Sequence, residues 1–483
     1  MALRSPVQVS SDAGPSSNET APATKAHAQA LARTVGTALV VGLITTMVYT
    51  LFSWLQWRSF AVRSWDLGIF TQLAKQYAEL RAPIVPIKGE DFNLLGDHFH
   101  PLLVLLGPIY AAFPSAFTLL VVQNLLFGAA AAAIAYAAGR VLGLPAGALF
   151  GLAFAFSWGL QGAVDAQFHE IAFAVPLLAF SLTAFLRGQW IFCTLWAMPL
   201  VFVKEDLGFT VAMIGIVLTC RSRKPLGIWL AVWGIGWFAI ASLLVLPAFN
   251  PDDRWAYAGS IDLPGLLEEP AALFQPEKGL TLVLLVVASG VVALRSPMAL
   301  VLLPTLAWRF VSDNPGYWGH TWQYSAVLMP ILFCAGLDAI RNCRTSRIQW
   351  VQVSARMAPA LVIVTALALW PQLPLASLAS AEKNFPMQRS ASAEAALASV
   401  PAGSLAESDI GLLAYLVNRT TVYWLGNQNP TPDYLVVDLN SGGLPEDCRS
   451  VGEVAARLHP GVPFQTIYSR DGYEVAKRID DRP

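Results

Sequence analysis

Charge is scarce in this chain. Asp, Glu, Lys and Arg make up 13% of its 483 residues, against about 25% in a soluble globular domain. The formal net charge is -1, so no surplus of positive charge is available for a nucleic acid. Cysteine is equally thin. Cys193, Cys220 and Cys334 lie in apolar runs, Cys343 sits in a basic stretch, and Cys448 is alone in the polar C-terminal region. That region therefore has no internal disulfide, and the chain has no CxxC pair or zinc-type spacing. What fills the chain instead is apolar: 55% hydrophobic residues and a mean hydropathy of +0.53. This is the composition of an integral membrane protein. Many of the sixteen Trp residues, among them Trp54, Trp57, Trp158, Trp190 and Trp308, stand near the ends of apolar runs, as membrane-interface aromatics do.

Residues 1–34 are rich in Ser, Ala, Pro and Thr and read as a disordered cytoplasmic tail. A transmembrane domain is expected over 35–373, with eleven spans near 35–57, 116–138, 144–161, 170–186, 190–203, 207–220, 226–248, 280–294, 297–311, 323–340 and 357–373. With that count Lys25, Arg33, Arg140, Arg187, the RSRK run at 221–224, Arg295 and the basic stretch 341–356 all fall on one side, which the positive-inside rule makes cytoplasmic. The expected location is the plasma membrane, multi-pass, with a cytoplasmic N-terminus and an extracytoplasmic C-terminal domain.

The two runs flanking Lys204-Glu205-Asp206 are short. At about 14 residues each they span roughly 21 Å, less than a hydrocarbon core of roughly 30 Å. Three charges at that depth are costly unless paired or hydrated, so a polar cavity open to the outer face is expected. The same parity puts four of the six histidines, His98, His100, His169 and His320, on the outer side. The first outer loop, 58–115, carries an amphipathic interfacial helix with Trp65, Ile69, Leu73 and Tyr77 at helical spacing and Pro83 beyond its end. Asp66 opens that helix, where a carboxylate serves either as N-cap or as a functional acid. GDHFHPLL then brings Asp97, His98 and His100 to the edge of a short or re-entrant segment at 101–113.

From about 382 the composition turns soluble-like. SLAES, IGLLAYLVN, TTVYWL and DYLVVDL read as strand, helix, strand, strand; EVAARLH reads as a short helix and FQTIYSRDGYEVAKRI as a hairpin turning at Asp471-Gly472. A small α/β domain over 382–483 is expected, with Asp433 and Asp438 as strand-end structure.

The ordered motifs WDLGIFTQ, GDHFHPLLVLLGPIY, VVQNLLFG, DAQFHEIAFAVPLLAF and KEDLGFT resemble the bacterial and archaeal polytopic membrane proteins known as domain of unknown function 2079, over about residues 60–470. That family is in turn similar to the GT-C class of membrane glycosyltransferases. The resemblance implies a GT-C-like all-α membrane domain of about eleven helices, and a sugar transferred from a polyprenyl phosphate to a cell-envelope glycan acceptor on the outer face. It gives Asp66 the acidic catalytic role. Unlike the commonest GT-C pattern, no second acidic residue stands directly beside Asp66.

Such transfer, of a hexose or pentose, needs a base for the acceptor hydroxyl and a cationic hold on the departing phosphate. The candidate substrate and phosphate contacts are Gln72, His98, His100, His169, Glu170, Lys204, Glu205, Asp206, Arg309, His320 and Trp322. A divalent cation, Mg²⁺ or Mn²⁺, is one arrangement, with Asp66, His98 and Glu205 as ligands. Two rivals remain: a transporter or flippase of a lipid-linked or small polar solute, and a catalytically inactive GT-C-like scaffold.

Overall fold

A computed structural model describes residues 20–62, 65–255, 257 and 274–479. Helix α1 runs Thr20–Arg58, so residues 20–34 are helical where a disordered tail was expected. The Ala-rich stretch that precedes Val35 is a strong helix former and continues the first span backwards. Residues 1–19 of the expected tail lie outside the described residues.

Among the described residues five helices are long and apolar enough to cross a membrane: Ala28–Arg58, Ala116–Leu142, Leu226–Phe249, Gln323–Cys343 and Gln349–Gln372. Leu144–Ala155 and Trp158–Asp165, bent by 40°, make a sixth if taken as one span. Glu170–Leu186, Trp190–Phe202, Leu207–Ser222 and Pro297–Val311 are apolar but shorter, as is the helix Pro276–Ala288. The expected runs are thus helical, but the length of a full crossing holds for about half of them. Prolines are one reason: Pro199 lies at the start of a 3₁₀ turn inside the run 190–203, and Pro304 lies where a 3₁₀ segment gives way to α-helix inside the run 297–311.

The Gln323–Cys343 helix is central, with 83% of its apolar window buried, whereas α1 is peripheral at 33%. Along α1 between Val35 and Trp54 the exposed side chains are apolar, among them Leu39, Leu43, Met47, Leu51 and Trp54. The connections between helices sort to two ends. Arg341 donates to the Leu186 carbonyl and Arg344 to that of Val141. Buried Asp338 accepts from Ser296 at 2.7 Å and pairs with Arg341 at 3.3 Å. The basic connections identified in the sequence therefore meet one another. The polar clusters meet at the other end of the Ala116–Leu142 helix, a separation of about 40 Å at 1.5 Å per residue.

Helix α1 packs on Ala116–Leu142 through glycines. A Cβ on Gly42 would come within 2.7 Å of the Gly128 carbonyl and 3.0 Å of the Ala132 Cβ, whereas at Gly36 nothing lies within 4 Å. Backbones this close leave no room for a side chain. Gly42→Val is expected to destabilise by about 1–3 kcal/mol through overpacking, and Gly36→Val to have a much smaller effect. Thermal unfolding of the two variants in detergent compares them directly.

The C-terminal domain carries a five-stranded mixed sheet of order β2-β1-β3-β5-β4. Its strands are β1 (Leu405–Ser408), β2 (Thr421–Trp424), β3 (Tyr434–Asp438), β4 (Phe464–Arg470) and β5 (Tyr473–Arg478). β1 pairs in parallel with both β2 and β3; β5 is antiparallel to β3 and β4. The β4–β5 turn has positive φ at Asp471 (50°) and Gly472 (82°), the geometry that Asp-Gly favours. Asp433 accepts from the Leu405 amide and from Arg478, and Asp438 from Arg389. Both aspartates are strand-end structure.

Candidate functional site

Helix α2, Asp66–Ala78, is the helix expected in the first loop, but it does not lie open on a surface. Every residue from Leu67 to Ala74 is buried, because the C-terminal domain covers the face that would otherwise meet solvent. A Cβ on Gly68 would meet the Leu413 Cβ at 3.3 Å. The N-cap position is Trp65, so Asp66 is not the capping side chain; it sits in the first helical turn. Its carboxylate opens into a cavity of about 380 Å³ lined by Trp65 and Asp66, by Asn314, Gly316, Tyr317, Trp322, Gln323 and Tyr324 of the late loop, and by Ile410 and Trp424 of the C-terminal domain.

Behind Asp66 stands His169, its Nε2 3.4 Å from Oδ2. His169 Nδ1 is 3.2 Å from the Gln167 carbonyl. That carbonyl can only accept, so Nδ1 carries a proton, and Nε2, which faces the carboxylate, donates to it when the ring is doubly protonated. Burial lowers the His169 pKa, but Asp66 opposes it and the net result is raised. From His169 the charges alternate. Glu170 pairs with Lys204 at 3.0 Å, Glu205 bonds His98 Nδ1 at 2.8 Å and the Phe99 amide at 2.9 Å, and Asp97 pairs with Lys88 at 3.1 Å. The Lys88 ammonium lies over the Trp65 ring, 5.2 Å from its centre. The circuit thus closes beside Asp66. The expected convergence of WDLG, GDHFH, DAQFHE and KED is present, and the Lys204–Glu170, His98–Glu205 and Lys88–Asp97 charges are paired as burial demands.

Other expected contacts have structural duties instead. Gln72 accepts from the Ile87 amide at 3.0 Å and donates to the Val422 carbonyl at 2.8 Å, which ties the first loop to β2 and keeps both ends of the amide from a ligand. Arg309 is fully buried and donates to the Tyr317 and Gly319 carbonyls, each at 2.7 Å, and to Ser325 at 3.1 Å. It shapes the loop that walls the cavity and does not face a phosphate. The His320 ring packs edge-on against Trp158 at 6.2 Å; of that pair of candidates only Trp322 lines the cavity. Asp206 is half-buried, with Oδ1 enclosed and unpartnered. His100 is likewise buried against Phe70, with Nδ1 unpartnered.

The divalent-ion arrangement does not find its donors assembled. Among the described residues no three His, Cys, Asp or Glu side chains are grouped to hold a metal. Asp66 faces His169, while His98 and Glu205 satisfy each other.

Sequence reading overlooked Lys88, Tyr317 and Trp424. Lys88 sat unremarked in a loop, and Trp424 reaches the cavity only through a domain contact more than 300 residues away in sequence. Two glycines were a usable signal. A Cβ on Gly162 would meet three carbonyls of residues 320–322 at 3.2–3.3 Å, and one on Gly159 the Ser325 carbonyl at 2.8 Å.

His98 and His100 titrate in opposite directions. Burial and Lys204 lower the His98 pKa, but Glu205 and Asp97 outweigh them and the net value is above 6.5. Burial carries His100 down to about 4. A raised folded pKa stabilises fully below the unfolded value near 6.5 and the benefit is lost as pH rises through the folded one. A depressed folded pKa does the reverse: the benefit stands above about 6.5 and is lost as pH falls toward 4. Thermal stability measured against pH is therefore expected to fall on both sides of a maximum. His98→Gln should flatten the alkaline limb and His100→Phe the acid one.

The family described as "Predicted membrane protein (DUF2079)" matches residues 57–475. The chain belongs to this family. No curated protein sequence matches it. Among solved structures it is similar to ArnT from Cupriavidus metallidurans bound to undecaprenyl phosphate, at 14% identity and TM-score 0.55, covering 92% of this chain and 98% of that one. The apo form of the same ArnT is also similar, at 16% identity and TM-score 0.47, with coverage of 91% and 97%. At 14% identity the likeness to the lipid-bound form is one of fold, and it extends over both the helical domain and the C-terminal domain.

Proposed function

We propose that this DUF2079 protein is a GT-C-like membrane glycosyltransferase that moves a sugar from a polyprenyl phosphate to a cell-envelope acceptor. The observation that carries the reading is Asp66 at the edge of a 380 Å³ cavity walled by Trp65, Tyr317, Trp322, Tyr324 and Trp424. Ligand pockets run from about 300 to 1,000 Å³, so this one suits a single sugar with its lipid tail left outside. Aromatic faces suit the apolar faces of a sugar ring, and the nearby carboxylate and amides suit its hydroxyls. The fold shared with a protein crystallised with undecaprenyl phosphate supports the lipid donor.

In the reaction, an acceptor oxygen attacks the anomeric carbon while the bond from that carbon to the phosphate oxygen breaks. The electron pair leaves with the polyprenyl phosphate. Asp66 takes the acceptor's proton, and His169 holds the carboxylate in place and shares the charge. Lys88 and Lys204 supply positive potential beside the leaving phosphate. The cavity end is then the outer face, with the N-terminus cytoplasmic and the C-terminal domain extracytoplasmic.

The test is turnover by the purified chain on a panel of polyprenyl-phosphate sugars, with and without Mg²⁺ or Mn²⁺, in the presence of envelope extract. Release or transfer of sugar supports the reading. Tight donor binding without turnover across the panel would replace it with a scaffold that binds the lipid.

A further inference from the structure

A second cavity, of about 270 Å³, lies where α1 meets the C-terminal domain, away from Asp66. Trp57, Arg58 and Phe60 line it from the membrane side, and Glu394, Leu397, Tyr415, Asn418 and Arg419 from the C-terminal side. Two guanidinium groups here face one carboxylate. The Arg58–Glu394 ion pair is loose at 3.7 Å and half exposed on both sides, and exposed pairs contribute only about 0–1 kcal/mol. Arg419 donates one N–H to the Leu397 carbonyl at 3.3 Å, and a guanidinium carries five such donors. Trp57 stacks on Tyr415 at 3.8 Å and Phe60 on the same ring at 4.4 Å, so these aromatic faces already cover one another and do not offer a sugar platform. What the cavity offers is anion recognition.

The approach to it is apolar. Met47, Leu51 and Trp54 are 59%, 50% and 46% exposed. With Arg58 they step along α1 by 4, 3 and 4 residues, which is one helix face. A hydrocarbon chain lying on this stripe ends at Arg58, at the depth where Trp57 marks the membrane interface. The combination of a lipid-facing stripe, an interfacial tryptophan and paired guanidiniums matches a lipid with a negatively charged phosphate head.

We propose that this cavity binds the head of an anionic phospholipid, its acyl chains on the Met47–Leu51–Trp54 stripe and its phosphate between Arg58 and Arg419. The lipid joins α1 to the helices Ser390–Ala398 and Ile410–Leu416. Ile410 also walls the Asp66 cavity, so the lipid helps to seat the domain that closes the first site. The proposal does not depend on the reaction assigned to that site.

Native mass spectrometry of the delipidated full chain, titrated with phosphatidylglycerol, tests it. Wild type is expected to retain one phosphatidylglycerol in preference to phosphatidylcholine. Arg58→Gln with Arg419→Gln should weaken retention at least tenfold. Glu394→Gln should tighten it, because it removes the carboxylate that competes for Arg58; a folding defect does not tighten binding. Equal retention by the double variant overturns the proposal. So does displacement by inorganic phosphate at matched concentration, which makes the cavity a free-anion site, or displacement by undecaprenyl phosphate acting through Arg58, which assigns it to the carrier.

Discussion

Asp66→Asn is expected to lower sugar transfer by about 10²–10⁴-fold, the usual contribution of a positioned general base, while leaving donor binding nearly intact. The substitution keeps the size and much of the hydrogen bonding of the side chain and removes only its ability to take a proton. It also deprives His169 of the carboxylate 3.4 Å away, which removes the group that raises its pKa. Two readings of Asp66 are thereby separated. A base loses kcat at constant KM. A carboxylate that only anchors the start of α2 loses stability instead. The measurement is single-turnover release from a labelled polyprenyl-phosphate sugar, alongside a melting curve. A melting temperature that drops sharply with unchanged single-turnover rate would remove Asp66 from the reaction.

The second large effect is expected at Lys204→Met. The Lys204 ammonium is 3.0 Å from Glu170, and both side chains are largely buried, at 14% and 7% exposure. Removing one member of a buried pair leaves the other charge without compensation, at a cost of about 3–5 kcal/mol. Lys204→Met with Glu170→Gln removes both charges and should regain most of that loss. A double-mutant cycle on unfolding midpoints reads the coupling. If the double variant is as unstable as the single, Lys204 works mainly through its other neighbours, Glu205 and Asp206, and the alternating circuit is less cooperative than its geometry implies.

Sequence periodicity carried the C-terminal domain because short alternating strands, a seven-residue helix and an Asp-Gly turn are local signals. The convergence of KED with GDHFH was legible for a different reason: charges in short apolar hairpins have few places to go except toward one another. It did not carry Gln72 or Arg309. A glutamine on an amphipathic helix and an arginine at a helix end look like ligand contacts in one dimension. Their backbone partners, Val422 and the 317–319 carbonyls, are set by tertiary approach alone. The lengths of the individual helices were not legible for a related reason. Apolar composition marks membrane residence, whereas a full-length helix also needs an uninterrupted run, and Pro199 and Pro304 stand at breaks in two of them.

The ties between α2 and β2 also bear on how the molecule is made. Gln72 waits for a carbonyl 350 residues later in the chain, and Lys75 for Val417 and Thr420. At about 5–20 residues per second a ribosome takes roughly 20–70 s to cover that distance. During that interval the first loop has crossed or met the bilayer without the groups that later satisfy it, and the cavity has no Trp424 wall. Assembly of the pocket is therefore a late event in biogenesis, and a chain truncated before β2 would carry Asp66 but no finished pocket around it.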